Sequence, residues 1–255
     1  WMHELEALNY DDAMAFYKQH YAPNNAILVV AGDVTPNGVK TLAERYYGIL
    51  PANRAVTPRA RRQEPPHRAA RRLIFRDERV AQPFFTRTFL APVRNSGDQR
   101  GAAALVYLAQ ILGGSSATSV LGRALQYDTQ QAIYTSAQYR PMALDPSTFS
   151  LVAVPAPDVS LQQIEDAIEA TIANFVTDGI DIKLFERIKS QFRASEIYAM
   201  DNVSGIARRY GAALTQGLTV ADVQAWPQIL QEVTPEEVIA LAKQLFDEKA
   251  SVTGW

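Results

Sequence analysis

Apolar positions recur at two different periods along this chain, and the order in which the periods alternate gives the first outline of its architecture. Ala13, Phe16, Tyr17 and Tyr21 repeat at helical spacing behind Asn9, Asp11 and Asp12, which predicts a short helix with an amino-terminal cap. Pro23-Asn24-Asn25 ends it, and Ala26 to Ala31 form a continuous apolar run of strand length that stops at Gly32-Asp33. Such a run predicts a strand buried on both faces. Thr35-Pro36 then caps a second helix carrying Val39, Leu42, Ala43, Tyr46 and Tyr47 on one face.

From Pro51 to Ala70 the apolar period disappears. Pro51, Pro58, Pro65 and Pro66 alternate with Arg54, Arg59, Arg61, Arg62 and Arg68, so this stretch is the best linker in the chain. Beyond it, residues 72–75 and 84–90 read as strands. A helix from about Asp98 runs to Gly113-Gly114, a shorter one covers Val120, Leu121 and Leu125, and two further strands fit 132–139 and 148–154. Helical spacing then dominates. Ser160 opens a helix through Ile164, Ile168, Ile172 and Phe175, Asp181 caps the next, and Val203, Ile206 and Tyr210 mark another. Thr234-Pro235-Glu236-Glu237 caps a last helix, and 250–255 closes the chain as a strand. Strands, helices, strands, a helical block and one returning strand make an α+β pattern, not the strict alternation of a doubly wound fold. The first 48 residues look like the ending of a similar unit. Trp1-Met2-His3-Glu4-Leu5 enters an amphipathic pattern directly, as an interior stretch of a longer parent would.

Composition narrows the chemistry. With 47% hydrophobic and 20% charged residues in 255 positions, the chain can build a sizeable core. A net charge of −2 gives no global reason to expect nucleic acid, and the arginine-rich linker lacks the interleaved aromatics that single-stranded nucleic acid would stack on. It reads as a solvated tether, with a nucleic-acid tether as a distant third reading. The absence of cysteine removes thiolate metal sites, disulfides and a catalytic thiol. No apolar run approaches the roughly 20 residues that a membrane span requires.

Two stretches carry a family resemblance. Phe16-Tyr17-Lys18-Gln19-His20-Tyr21-Ala22-Pro23-Asn24-Asn25-Ala26-Ile27-Leu28-Val29-Val30-Ala31-Gly32-Asp33-Val34 resembles the F-Y-x-x-x-Y-x-P-N-N-A-x-L-V-V-x-G-D-V signature late in the catalytic domain of pitrilysin-like, insulinase-superfamily zinc peptidases. Leu112-Gly113-Gly114-Ser115-Ser116-Ala117-Thr118-Ser119-Val120-Leu121, with Ala132-Ile133-Tyr134-Thr135-Ser136 after it, is similar to the L-G-G-G-x-x-S-R-L segment and following strand of the family's second domain. The resemblance implies a metallohydrolase-like fold divided into residues 1–50 (the end of a catalytic-type domain), 51–70 (the linker) and 71–255 (a second, non-zinc-binding domain).

Members of that family hold zinc through an inverted H-x-x-E-H motif and a later glutamate. His3, His20 and His67 are the histidines here, and none has a second histidine at that spacing. The resemblance therefore implies a parent with zinc and a chain whose own metal and catalytic residues are none. In active relatives the second domain supplies an arginine and a tyrosine that hold substrate. Tyr134 stands where that tyrosine falls, while the arginine position falls near Gln126 or Tyr127, with Arg123 as a neighbouring substitute. Gly113, Gly114 and Ser115 are the accompanying turn, which reads first as a helix stop and second as a substrate contact, and lacks the lysine of a phosphate-binding loop.

Two functions follow from the resemblance. One is the carboxy-terminal half of a zinc-dependent metalloendopeptidase, closing a chamber and binding peptide substrate beside an N-terminal zinc-binding domain. The other is a companion subunit that pairs with a separate zinc-bearing chain. A dimer is compatible with either. A bacterial protein of the periplasm or cytoplasm is the setting the resemblance suggests.

Overall fold

The structure is a computed structural model and describes residues 2–57, 65 and 67–255. Pro58, Arg59, Arg61, Arg62 and Pro66 of the expected linker lie outside the described residues. The chain divides into two compact units, Trp1–Pro65 with Asn202–Thr215, and Pro66–Asp201 with Gln216–Trp255.

The first unit holds helices α1 (Met2–Ala7), α2 (Tyr10–His20) and α3 (Pro36–Tyr46), together with a helix from far downstream, Val203–Thr215. Asn9 begins α2 as expected: its side chain accepts from the backbone of Asp11 and Asp12, and the Asp12 carboxylate accepts from the Asn9 N–H, a complete capping box. Thr35 caps α3 by accepting from Gly38 N–H. The Pro23-Asn24-Asn25 motif has a structural use. Asn24 exchanges two hydrogen bonds with the backbone of Asn53, whose amide donates to Lys18 O at 2.8 Å, so the motif ties the end of α2 to the start of the linker.

The apolar run at 26–31 differs from its expectation. It is extended but pairs with no strand, and Ile27, Leu28 and Val30 are about half exposed. A strand needs a neighbour to accept and donate its backbone hydrogen bonds, and the described chain offers none at this place. Val29 is half-buried, and a methyl group of its side chain lies 3.8 Å from where a Cβ on Gly211 would stand.

The second unit is built on a five-stranded sheet. Its strands are β1 (Arg71–Leu73), β2 (Phe85–Ala91), β3 (Ala132–Tyr139), β4 (Ser147–Pro155) and β5 (Ser251–Gly254), in the order β1-β5-β2-β4-β3. All pairs are antiparallel except β1 with β5. The closing strand of the sequence thus lies inside the sheet, between its first two strands, while β1 and β3 are the two edges. Period-two alternation explains the core face. Phe85, Phe89 and Ala91 of β2 and Phe149, Leu151 and Ala153 of β4 are buried on one side.

Against that face pack α4 (Arg100–Gly113), α5 (Leu161–Asp178), α6 (Ile182–Ala199), α8 (Val220–Glu232) and α9 (Pro235–Leu245); α7 is the Val203–Thr215 helix described with the first unit. Helix α4 is the most deeply set, with Leu105, Tyr107, Leu108, Ile111 and Leu112 fully buried. Each such side chain contributes about 1.5–3 kcal/mol through removal of its apolar surface from water. Tyr107 keeps its hydroxyl satisfied by donating to Leu230 O at 2.9 Å, and burial pushes its pKa well above the usual tyrosine value. Ser160 and Thr234 form the capping boxes of α5 and α9 that their sequences predict.

Candidate functional site

The residues singled out in the Gly-Gly-Ser segment sit where α4 meets the edge strand β3. Helix α4 runs out at Gly113, whose Cα approaches β3 so closely that a Cβ there would lie 1.8 Å from the Ala137 nitrogen. Gly113 is therefore a close-approach glycine. Gly114 ends the helix by donating to Gln110 O, and both Gly114 and Ser115 are exposed. The loop that follows folds back on itself: Thr118 and Ser119 donate to Ser115 O, and a Cβ on Gly122 would meet Ser116 O at 2.1 Å.

The expected short helix after this loop is a π-helical turn, Gly122–Asp128. Turns of this kind widen the backbone by one residue and are frequent at functional positions. Here the turn swings Gln126 toward the sheet, and its amide donates to the Thr135 hydroxyl at 2.7 Å. Gln126, which with Tyr127 is where the resemblance led an arginine to be expected, is thus engaged in holding β3. Tyr134 stands on the same strand, in register with Val154, with its side chain 48% exposed. Next to it, the Ser136 hydroxyl is buried and makes no hydrogen bond among the described residues.

Arg123 goes elsewhere. It lines a cavity of about 510 Å³ with Asp128, Asp178, Lys183 and Arg187, between the π-helical turn, the end of α5 and the start of α6. Tyr134 does not line this cavity. The fold therefore brings Gly113 and Gln126 to β3, presents Tyr134 at the sheet's edge, and turns Arg123 toward α5 and α6.

Two polar clusters lie beyond what the sequence pattern predicts. In the first, Glu165 of α5 is buried and accepts two hydrogen bonds from Arg72 of β1, one from Arg87 of β2 and one from the Trp255 indole. Arg87 also reaches Glu169 at 2.7 Å and Thr253 of β5. Strands β1, β2 and β5 are fastened to one helix through a single carboxylate. Arg87 falls on the buried face between Phe85 and Phe89, and a charge in that alternation is the signal that a buried partner exists.

In the second cluster, Asp222 near the start of α8 accepts from the Thr219 hydroxyl and N–H, the Ser96 hydroxyl and the Gly97 N–H. Hydrogen bonds from the Thr219 hydroxyl first, and then from the Gly97 backbone, hold its pKa far below the usual carboxylate range.

The described residues contain no group of three His, Cys, Asp or Glu side chains placed to hold a metal ion. A zinc ion does not fit the described residues. None of the described helices is long and apolar enough to cross a membrane.

Comparison with known proteins is consistent across sequence and structure. A family model described as the peptidase M16 inactive domain matches residues 7–192. The chain is 20% identical over 254 residues to the zinc protease PqqE of Helicobacter pylori, and 25% identical over 247 residues to the uncharacterized zinc protease YmxG of Bacillus subtilis. These alignments take in 99% and 96% of the chain but 56% and 57% of the relatives, so it spans little more than half their length. The crystal structure of a protease from Helicobacter pylori superimposes with a TM-score of 0.90 at 20% identity, covering 100% of this chain and 60% of that one.

Proposed function

This chain belongs to the peptidase M16 family, the pitrilysin-like zinc peptidases, as its inactive carboxy-terminal portion, and from that premise we propose that it closes the chamber of a zinc-dependent metallopeptidase and helps to hold the peptide substrate. In this reading residues 1–50 are the end of a catalytic-type domain, 51–70 the linker and 71–255 the non-zinc-binding domain. Zinc and the catalytic groups belong to the remainder of the parent. The edge strand β3 holds an extended peptide by backbone pairing, with Tyr134 and the exposed Gly114-Ser115 turn touching it.

The single observation that carries this reading is the inactive-domain match over residues 7–192, which spans both sequence motifs. The half-exposed Tyr134 on an edge strand supports the substrate contact. A soluble bacterial protein, of the periplasm or the cytoplasm and able to form a dimer, is the setting that goes with it.

One observation favours the companion-subunit reading over a continuous parent. Gln126 spends its amide on Thr135, so one of the two residues near the expected arginine position, Gln126 and Tyr127, has an internal job.

The experiment is reconstitution. The chain is combined with a zinc-bearing M16 portion, either encoded upstream of it or as a separate gene product, and cleavage of a quenched fluorogenic peptide is followed. Cleavage only in the combination, with kcat/KM reduced by Tyr134→Phe, supports the proposal. Equal cleavage by the zinc-bearing portion alone would sink it.

A further inference from the structure

The sheet has a second edge, β1, at the opposite side from β3. Trp255 N–H donates to Leu73 O and Phe75 N–H donates to Trp255 O, both at 3.0 Å. In a parallel pair one residue turns its N–H and C=O toward the neighbour and the next turns both away. Leu73 and Phe75 therefore face β5, and the backbone groups of Arg72 and Ile74 face outward with no strand among the described residues to meet them.

Beside this open edge lies an apolar cavity of about 630 Å³, lined by Ile74, Phe75, Val80, Phe84, Leu161 and Trp255. Leu73, Ile74 and Phe75 are three consecutive exposed large apolar side chains. Unpaired positive charge outweighs unpaired negative charge beside them in the sequence. Arg72 is neutralised by Glu165 and Arg79 by Asp77. Arg68, Arg71 and Arg76 form no ion pair among the described residues, and Glu78 is the one acidic residue nearby in sequence with no ion pair of its own. Arginines alone would protect an edge from unwanted pairing. An apolar cavity beside an open edge does the opposite and marks a binding surface.

We propose that the open edge of β1 binds an extended acidic segment of a partner protein. The segment adds as a further strand to Arg72 and Ile74, sets an apolar side chain into the cavity beside Phe75, and places carboxylates against Arg71 and Arg76. Backbone pairing supplies the general affinity, and the cavity and the arginines supply selectivity. The proposal does not depend on the substrate role given to β3.

Fluorescein-labelled decapeptides alternating aspartate with leucine, and counterparts with lysine in place of aspartate, test this by fluorescence polarisation on the full chain. The acidic peptide is expected to bind, and the lysine peptide to bind roughly tenfold more weakly or not at all. Ile74→Pro removes the outward N–H together with the Ile74 side chain at the cavity and is expected to abolish binding. Arg76→Glu changes only an exposed charge; it is expected to weaken the acidic peptide and favour the basic one, which decides the matter should Ile74→Pro fail to fold by near-ultraviolet circular dichroism. Equal binding of both peptides, or binding unchanged in Arg76→Glu, would overturn the proposal. So would sedimentation showing that a second copy of the chain fills the edge through self-association lost in Ile74→Pro.

Discussion

A Cβ on Gly113 would stand 1.8 Å from the backbone nitrogen of Ala137, so the last turn of α4 rests directly on the edge strand that carries Tyr134. The position of that strand depends on this contact and on Gln126 holding Thr135. The Gly-Gly segment thus acts first as a spacer that lets a buried helix and an edge strand touch, and through that spacing it determines what the edge presents.

Replacing Gly113 by alanine forces the helix end and β3 apart. The expected cost is about 1–3 kcal/mol or more, as for other overpacked positions, measured as a lowered urea midpoint. Gly101 lies in the same helix with nothing within 4 Å of where a Cβ would stand, so Gly101→Ala is expected to be neutral or to stabilise by about 0.5–1 kcal/mol through helix propensity. Equal effects of the two substitutions would refute the close-approach account.

The Glu165 cluster makes a different prediction. Glu165→Gln leaves Arg87 with Glu169 as its remaining carboxylate and takes from Arg72 the carboxylate it pairs with, and a buried pair broken from one side costs about 3–5 kcal/mol. The Trp255 indole exchanges a charged acceptor for a neutral amide in the same substitution, so a shift in indole fluorescence accompanies the loss. By contrast Arg79→Ala breaks an exposed pair with Asp77 and should leave the urea midpoint nearly unchanged.

How far the sequence reveals these features depends on how local their causes are. The capping boxes at Ser160 and Thr234, the alternation of Phe149, Leu151 and Ala153, and the helix stop at Gly113 are all encoded within a few residues, and each is present in the fold. Helix α8 is absent from the sequence-based outline because Pro227 lies inside it, although the Thr219–Asp222 box and the spacing of Val223, Trp226 and Leu230 mark it. The run at 26–31 has the composition of a strand, but pairing is a property of two segments and only one is present. Glu165 and Arg87 are 78 residues apart, and no periodicity reports such a partner. That α7 groups with the first unit while α6 and α8 group with the second is likewise invisible to local pattern. At the candidate site, Tyr134 is legible as a strand residue, whereas the turning of Arg123 toward α5 and α6 follows from a π-helical geometry that spacing does not announce.

Asp222 links stability to pH. Its folded-state pKa is depressed, chiefly by the Thr219 hydroxyl and the Gly97 N–H, so its contribution is complete above the ordinary carboxylate value of about 4 and is lost as pH falls below it. Asp222→Asn should cost about 1–3 kcal/mol at neutral pH. The gap between variant and parent should then narrow as thermal melts are taken from mildly to strongly acidic buffer. A gap independent of pH would mean that the carboxylate's charge plays no part in holding residues 96–97.

The exposed apolar run of the first unit bears on what completes this protein. The N–H groups of residues 27–31 have no hydrogen-bond partner among the described residues, whereas those of β2 and β4 are paired along their length. Amide hydrogen exchange on the chain alone should therefore be fast across 27–31 and slow across β2 and β4, since exchange rate follows local opening. If a zinc-bearing portion supplies the missing neighbour, adding it should protect 27–31 and leave β2 unchanged, because a new strand satisfies backbone groups only where it pairs. Protection of 27–31 in the isolated chain would show that the run already has a partner, and would remove this segment as the place where a catalytic-type domain is completed.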